Sequence, residues 1–249
     1  MTVGDVYDLA PGSAATAEVG RSDTEFARFA LPYRIAVSML TTKVSILKEK
    51  FTDRDGYCPI AAVSSRVKTL DSIRRKAQRI RCPLAVDDVR TNILDIAGVR
   101  VTCGVISETY RIATMLSQQP DVTVIEVEDY IAHPKPNGYM GFHMIIEIPV
   151  LLGDRVERVP VEVQIRTIAM DLWASLEHKI YHTYERAVPP RLLNELTDAE
   201  AAHNLDVKMQ RLHNDVAALT AAQDAHDVHL DLPPPSTIDD WRPGTGRYL

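Results

Sequence analysis

The sequence has few cysteines, few aromatic residues and no long apolar run. Its three cysteines, Cys58, Cys82 and Cys103, are odd in number and form no CxxC pair, which predicts buried or free thiols in a reducing compartment. The richest apolar stretch, 144–152, contains an acid and a proline and is too short to span a bilayer. The first thirty residues lack the basic start and apolar run of a signal peptide. These absences predict a cytoplasmic protein.

The charge of the chain is unevenly distributed. Asp and Glu outnumber Lys and Arg by 34 to 28, which argues against a general nucleic-acid-coating role. Segment 66–81 nevertheless holds seven basic residues and one acid; it carries +6 and leaves −12 on the rest of a chain whose total is −6. Such segregation predicts a local anion site, and a solvated basic face is the equally weighted alternative. A GxxxxGK[ST] phosphate loop is absent.

The 249 residues suit one large domain or one domain with helical appendages. Helical spacing of apolar residues predicts helices at 26–51, 69–81, 107–118, 169–181 and 197 to about 225. Alternation predicts strands at 99–105, 122–127, 143–150 and 159–166. Because Gly153-Asp154 joins the last two strands in a tight hairpin, the fold class is predicted to be α/β (α+β), with a mixed, partly antiparallel sheet flanked by helices and a C-terminal helical extension.

The same patterns divide the chain into four segments. We expect a flexible leader over 1–24, a folded catalytic domain over 25–188, C-terminal helices over 189–227 and a disordered tail over 228–249. The helix at 169–181 is predicted to bury Leu172, Trp173, Leu176 and Ile180. An apolar stripe on the last helix comprises Leu205, Met209, Leu212, Val216 and Leu219. Its spacing favours packing within the chain, with a neighbouring subunit as the alternative.

The basic segment contains a candidate polyphosphate site. Thr69 is a plausible N-cap for a helix on which Ser72, Lys76 and Arg79 share one face. That face presents a hydroxyl, an ammonium and a guanidinium to one anion, near a helix N-terminus that also favours negative charge.

Two carboxylates are candidate metal ligands. Asp95 stands before a strand beside a small-residue turn, where a carboxylate can hold Mg²⁺ without crowding it. Arg100, on that strand, could stack on a base or neutralise phosphate. Glu162 shares the polar face of the 159–166 strand with Gln164 and Arg166, and it could serve as a second metal ligand or a proton acceptor. The structural alternatives are an ordinary Asp-bearing turn and an ordinary edge-strand Glu.

The loop 134–143 gathers four side chains suited to a nucleobase, namely Lys135, Asn137, Tyr139 and His143. They provide an aromatic plane for stacking and polar groups for the edges of a base. Since Asn137-Gly138 is also a good turn dipeptide, a purely structural hairpin is the alternative.

The order of these blocks, RVK…S…K..R, DIAGVR, PKPNGY..FH and EVQIRT.AMDLWASLEHK, resembles the synthetase domain of RelA/SpoT-type alarmone enzymes. The resemblance extends over about 26–218 and, because a hydrolase or regulatory domain has no room here, is to a stand-alone small alarmone synthetase. It implies a nucleotidyltransferase-like fold, Mg²⁺ as cofactor and a homotetramer. It also implies transfer of the β,γ-diphosphate of ATP to the 3′-hydroxyl of GDP or GTP, giving ppGpp or pppGpp and AMP.

The resemblance implies a role for each candidate residue. On the ATP side, Arg66 and Arg100 would bracket adenine, and the triphosphate would be held by Lys68, Ser72, Lys76 and Arg79. Asp95 would bind Mg²⁺, with Glu162 as second ligand or general base. On the acceptor side, Tyr139 would stack on guanine, helped by Lys135, Asn137, His143 and Gln164.

The sequence departs from the family pattern at two places. Met140-Gly141 replaces the Arg or Lys and Ser that usually follow the stacking tyrosine, which would weaken acceptor phosphate binding or shift its preference. The stretch 61–64 lacks an aromatic for stacking an allosteric guanine nucleotide, so feedback by alarmone is not expected.

A tRNA 3′-end pyrophosphokinase toxin would need a second basic patch, and the net charge of −12 on the chain outside 66–81 argues against RNA binding. A catalytically degenerate nucleotide-binding homologue is disfavoured because both carboxylates are present.

Overall fold

The structure, a computed structural model, describes Val19, residues 23–183 and residues 200–230. Its helices are α1 (Asp23–Asp55), α2 (Leu70–Ile80), α3 (Val86–Asn92), α4 (Ile106–Ser117), α5 (Ile168–Thr183) and α6 (Glu200–Leu230). Its strands are β1 (Ile60–Val67), β2 (Ala97–Cys103), β3 (Thr123–Asp129), β4 (Phe142–Leu152) and β5 (Arg155–Thr167). None of the described helices combines the length and apolar character needed to cross a membrane.

The five strands form one mixed sheet in the order β1-β2-β5-β4-β3. The central pair, β2 and β5, is parallel, and every other neighbouring pair is antiparallel. The predicted β4–β5 hairpin is present, and Gly153 takes the positive φ of 66° that its turn requires. The predicted mixed, partly antiparallel sheet is therefore confirmed.

The sheet separates an apolar face from a polar face. The core lies on the face where α1 and α4 pack against the strands, and it includes Leu40, Ile112, Val99, Val163 and Ile146. Because successive side chains of a strand alternate, the residues between these core positions project to the opposite face. That second face, partly covered by α5, carries the polar residues of β2, β4 and β5.

The structure corrects several sequence-based expectations. Strand β1 and helix α3 were not predicted from the sequence. The expected buried stripe of α5 is wrong in part, because Trp173 is buried while Leu172 and Leu176 are 59% and 47% exposed. The five stripe residues of α6 are also exposed, so this stripe is not core within the chain.

Some expectations fall outside the described residues. These include the predicted start of the last helix at 197, the side chain of Ile180, the tail after Leu230 and most of the leader. Within the leader, Val19 is buried and its backbone N–H donates to the Leu84 carbonyl oxygen at 2.8 Å.

Candidate active site

Asp95 lies just before β2, between two lysines. Lys68 Nζ is 2.6 Å from Asp95 Oδ2, and Lys76 Nζ is 2.6 Å from Oδ1. Lys68 Nζ also donates to the backbone oxygen of Asp95 at 3.1 Å. Burial raises the pKa of Asp95, but hydrogen bonding and attraction to the two lysines outweigh burial and leave the pKa below its ordinary value. The cluster therefore holds an ionised carboxylate at neutral pH.

Helix α2 supplies the basic residues of this side of the site. The side chain of Thr69 accepts a hydrogen bond from the Ser72 backbone N–H, so the predicted N-cap is confirmed. Ser72 Oγ accepts a hydrogen bond from Arg75 Nη2 at 3.1 Å in the first turn. Arg79 is exposed in the last turn. Lys76 reaches Asp95, whereas Ser72 and Arg79 lie at opposite ends of the helix.

A pocket of about 180 Å³ opens on the polar face between β1, β2 and β5. Its lining residues are Ser64, Ser65, Arg66, Gly98, Val99, Arg100, Glu162 and Gln164. The strand register explains the grouping, since Arg66 pairs with Gly98 and Gly98 pairs with Glu162. A Cβ on Gly98 would lie 3.6 Å from Arg66 Cγ and 3.9 Å from Glu162 Oε2. Glycine therefore leaves the floor of the pocket open between two charged side chains.

A larger cavity, of about 390 Å³, lies between α1, α3 and the distal half of β5. It is lined by Tyr33, Arg90 and Glu157 among others, and it contains none of the residues predicted to form the site. Arg90 Nη1 and Glu157 Oε1 form an ion pair there at 3.0 Å. Size alone thus does not identify the functional pocket, and the chemistry of the lining favours the smaller one.

Glu162 is oriented from two directions. Gln164 Nε2 donates to Glu162 Oε2 at 2.9 Å, and His143 Nδ1 lies 3.6 Å from Glu162 Oε1. Only 14% of the Glu162 side chain is exposed. The predicted display of Glu162, Gln164 and Arg166 on one strand face is confirmed by these contacts and by the burial of the alternate residues of β5.

The loop before β4 forms a tight turn. Gly138, with φ 83°, donates its backbone N–H to the Lys135 carbonyl oxygen at 2.8 Å. Asn137 Nδ2 donates to Glu177 Oε1 on α5, which fixes the loop to that helix. Lys135 Nζ lies 4.0 Å from the centroid of the Tyr130 ring. The loop is thus a structural turn that also brings a cation and two aromatic rings together.

Tyr139 is buried at the centre of this loop, with 9% of the residue exposed. Its ring makes edge contacts with those of Tyr130, His143 and Trp173. Stacking of a base on Tyr139 therefore requires its ring to be uncovered. Met140, the first of the two departures from the family pattern, is also buried and contributes no charge here.

His143 is neutral in this setting. Burial, followed by repulsion from Arg166, Lys135 and Arg100, lowers its pKa from 6.5 to about 3. The Tyr139 hydroxyl accepts a hydrogen bond from Arg166 Nη2 at 2.6 Å and lies 2.5 Å from His143 Nε2. A neutral imidazole has one N–H, and an ionised carboxylate can only accept, so the tautomer with the N–H on Nδ1, facing Glu162, and Nε2 accepting from the Tyr139 hydroxyl fits both neighbours.

Two residues of this network, Arg166 and Asp171, were not predicted from the sequence to have a function in the site. Arg166 Nη1 and Arg100 Nη1 both donate to Asp171 Oδ1, at 3.2 and 3.1 Å. Arg166 was predicted to share the polar strand face, whereas Asp171, in the first turn of α5, was assigned no function. The signal that could have identified it is a lone acid in the first helical turn after a strand whose penultimate residue is Arg166.

The sheet face thus combines paired lysines, two carboxylates, a pocket between arginines and an aromatic loop, a set suited to nucleotide-dependent phosphoryl transfer. A family model described as "Region found in RelA / SpoT proteins" matches residues 65–187. The chain is 46% identical over 187 residues to GTP pyrophosphokinase YwaC of Bacillus subtilis, covering 75% of this chain and 89% of that protein. It is 35% identical over 201 residues to GTP pyrophosphokinase YjbM of the same organism, covering 80% and 94%.

A solved structure gives the same result. The crystal structure of small alarmone synthetase 1 from Bacillus subtilis bound to its product pppGpp superposes with a TM-score of 0.73 at 34% identity, covering 78% of this chain and 99% of that one. The chain therefore belongs to the RelA/SpoT family. The resemblance inferred from the motifs is confirmed.

Proposed function

We propose that the chain is a GTP pyrophosphokinase, a small alarmone synthetase that transfers the β,γ-pyrophosphate of ATP to the 3′-hydroxyl of GDP or GTP. Membership of the RelA/SpoT family supports the reaction. The main structural support for the site assignment is the register of β1, β2 and β5, which aligns Arg66, Gly98 and Glu162 across the sheet. That alignment places a carboxylate on the floor of a pocket with a guanidinium beside it.

The ATP side consists of the pocket and the lysine pair. Arg66 and Arg100 hold adenine through their planar guanidinium groups. Lys68 and Lys76, which neutralise Asp95 before nucleotide binds, turn to the triphosphate. Ser72 and Arg79 of α2 complete the contacts to phosphate. Three of the seven basic residues of the 66–81 segment are thereby assigned to one polyphosphate.

Mg²⁺ is part of the proposal, with Asp95 and Glu162 as its protein ligands. Among the residues that the structure describes, no cluster of three or more His, Cys, Asp or Glu could hold a metal. The support for Mg²⁺ is that Asp95 is ionised and Glu162 lines the pocket, since one or two carboxylates commonly hold this ion together with substrate phosphates and water. When bound, the ion neutralises charge that develops on the transferred group.

The acceptor side consists of the loop and the polar end of β5. Tyr139 stacks on guanine, and the base and its ribose are contacted by Lys135, Asn137, His143 and Gln164. Glu162 accepts the proton of the 3′-hydroxyl while the 3′-oxygen bonds to the β-phosphorus and the bond from that phosphorus to the α-phosphate oxygen breaks. AMP leaves. Gln164 and His143 keep Glu162 pointed at this oxygen.

A homotetramer, a cytoplasmic location and the four-segment division of the chain also belong to the proposal. The exposed stripe of α6 supports association, because Leu205, Met209, Leu212, Val216 and Leu219 are 43–67% exposed and a contiguous apolar surface of this kind marks an interface. Light scattering is expected to give four chains per particle, and Leu212→Asp is expected to lower that number. A wild-type monomer would contradict the assembly.

The reaction is tested with purified protein, γ-labelled ATP, Mg²⁺ and GDP or GTP, with products separated by chromatography. We expect label in ppGpp or pppGpp and an equal amount of AMP. A parallel reaction with tRNA in place of GDP tests the toxin alternative, for which label would appear on the RNA instead. Nucleotide binding without transfer to either acceptor would identify a degenerate homologue.

A further inference from the structure

A ring of hydrogen bonds joins the two proposed nucleotide subsites. Asp171 Oδ1 accepts from Arg100 Nη1 at 3.1 Å and from Arg166 Nη1 at 3.2 Å. Arg166 Nη2 in turn donates to the Tyr139 hydroxyl at 2.6 Å. Arg100 lines the ATP pocket and Tyr139 belongs to the acceptor loop. Asp171 and Arg166 are therefore the two links between the subsites along this path.

A second path closes the ring through Gln164, which also contacts the catalytic carboxylate of Glu162. Gln164 Oε1 accepts from Arg166 Nη2 at 2.9 Å and from Arg100 Nε at 3.4 Å. The amide nitrogen of Gln164 donates to Glu162 Oε2 at 2.9 Å. Because Arg166 fixes which way the Gln164 amide faces, it also fixes the orientation of Glu162.

Arg166 has little freedom to replace any of these partners. It is 5% exposed, so water cannot easily take the place of a lost contact. Its Nε has no hydrogen-bond partner, and the guanidinium is held through its two terminal nitrogens. Gly141 permits the close approach, since a Cβ there would lie 3.2 Å from the Tyr139 hydroxyl oxygen and 3.3 Å from Arg166 Cγ.

We propose that Asp171 and Arg166 are positioning residues that couple the binding of ATP to the binding of the guanine nucleotide. The inference rests on the proposed function and adds to it an energetic link between its two substrates. One oxygen of Asp171 serves two guanidiniums, so engagement of Arg100 by a nucleotide changes the hold on Arg166 and hence on Tyr139. When a nucleotide engages Arg100, the carboxylate of Asp171 is left to Arg166 alone; Arg166 and the Tyr139 hydroxyl that it contacts are then held more firmly, and the second nucleotide binds more tightly.

The coupling is measured by calorimetry on the full chain with Mg²⁺. The non-hydrolysable ATP analogue AMPCPP is titrated with and without saturating GDP, and GDP with and without saturating AMPCPP. We expect each nucleotide to tighten the other roughly five-fold or more, by the same factor in both directions, as reciprocity of linked binding requires. Asp171→Asn keeps the shape of the side chain and removes the charge that holds both arginines. It is expected to bring the factor close to one while each nucleotide alone still binds.

Arg166→Lys provides an independent variant, because it keeps the charge and loses the two-nitrogen fork; the same loss of coupling is expected. Asp121→Asn is the matched control, since it removes an aspartate charge from an ion pair with Lys43, at 2.8 Å, outside the site. It should leave the factor at the wild-type value. Thermal unfolding of each variant verifies that the titrations are made on folded protein.

The outcomes separate the inference from the proposed function. Wild-type protein that binds both nucleotides independently would overturn the coupling and leave the reaction intact. The same conclusion would follow if both variants bound the nucleotides more weakly but each nucleotide still tightened the other by the wild-type factor, because the role of Asp171 and Arg166 would then be structural. Wild-type protein that binds neither nucleotide would instead overturn the proposed function.

Discussion

Asp95→Asn is expected to change stability, nucleotide affinity and turnover in different directions. The substitution keeps the shape of the side chain and removes the negative charge between Lys68 and Lys76. The exposed fractions of the three side chains are 19%, 13% and 23%, so water screens them poorly. Loss of one partner of a fully buried ion pair costs roughly 3–5 kcal/mol. Because each of these side chains is still partly exposed to solvent, we expect the free energy of unfolding of the nucleotide-free protein to fall by about 2 kcal/mol.

The affinity for nucleotide without Mg²⁺ should move the other way. In the wild type, a triphosphate has to displace the Asp95 carboxylate from both lysines, whereas in the variant both ammonium groups are free. Recovery of about 1.4 kcal/mol of the lost attraction would tighten AMPCPP roughly ten-fold. Transfer with Mg²⁺ should nevertheless fall by about three orders of magnitude, since a metal ligand that stabilises the reacting group by several kcal/mol is lost.

Three measurements test this reasoning: thermal unfolding, AMPCPP titration without Mg²⁺, and the labelled-phosphate assay. Asp121→Asn is the control; its pair with Lys43 is more exposed, at 35% and 24%, and should be worth less than about 1 kcal/mol. Because the folded pKa of Asp95 lies below its ordinary value, the advantage of wild type should be full at neutral pH and decline as pH falls below about 4. Unchanged stability, or weaker AMPCPP binding in the variant, would refute the argument.

Two further predictions concern Glu162 and His143. Glu162→Gln should lower single-turnover transfer by roughly 10²–10⁴-fold with AMPCPP affinity within about two-fold of wild type; retained transfer with weakened affinity would show that Glu162 binds nucleotide instead of accepting the proton. His143 has a pKa of about 3 when folded and an ordinary value of 6.5, so between these values the unfolded chain takes up a proton that the folded chain does not, and stability is lost as pH falls. The loss attributable to this residue approaches about 1.4 kcal/mol per pH unit, and urea unfolding at pH 7.5 and 5.5 should show it in wild type and not in His143→Gln.

The sequence predicted the sheet where hydrophobic alternation was strong and missed it where alternation was weak. β4 and β5 alternate strictly, and their buried faces, including Ile146, Ile148, Val161 and Val163, agree with the prediction. β1 is an edge strand in which four of the eight residues are alanine or serine, and most of its residues are exposed. It carries little apolar signal, because its register is set by pairing with β2 and not by burial of its own side chains.

Helix α5 shows a different limit. Its apolar residues are dense enough to define two possible buried faces, and the sequence does not say which face meets the sheet. The structure buries Met170, Trp173 and Ala174, whereas Leu172 and Leu176 remain exposed. Tertiary packing therefore buried a different face from the one that local periodicity favoured.

For the site, the sequence identified residue types and the structure supplied their partners. Lys68, Lys76 and Asp95 were each proposed to serve nucleotide or metal, and the structure brings them into mutual contact. The role of Asp171 was missed because its two arginine partners lie 71 and 5 positions away in the sequence. The contact with Arg100, 71 positions away, is set by the strand order, which spacing alone does not reveal.

The parallel pairing of β2 with β5 has a consequence for the order in which the parts of the site come together during synthesis. The two strands are adjacent in the sheet, yet Gly98 pairs with Glu162 and Arg100 with Gln164, so their union closes a long loop that includes β3 and β4. Such a pairing is expected to form late in folding, because the chain loses the conformational entropy of closing the loop before the stabilising contacts between the strands are made. During synthesis from the N-terminus, the lysine pair and Asp95 emerge well before Glu162. A nascent chain thus holds its phosphate-binding residues without the opposing carboxylate, and it gains the complete site only when the last strand of the sheet has left the ribosome.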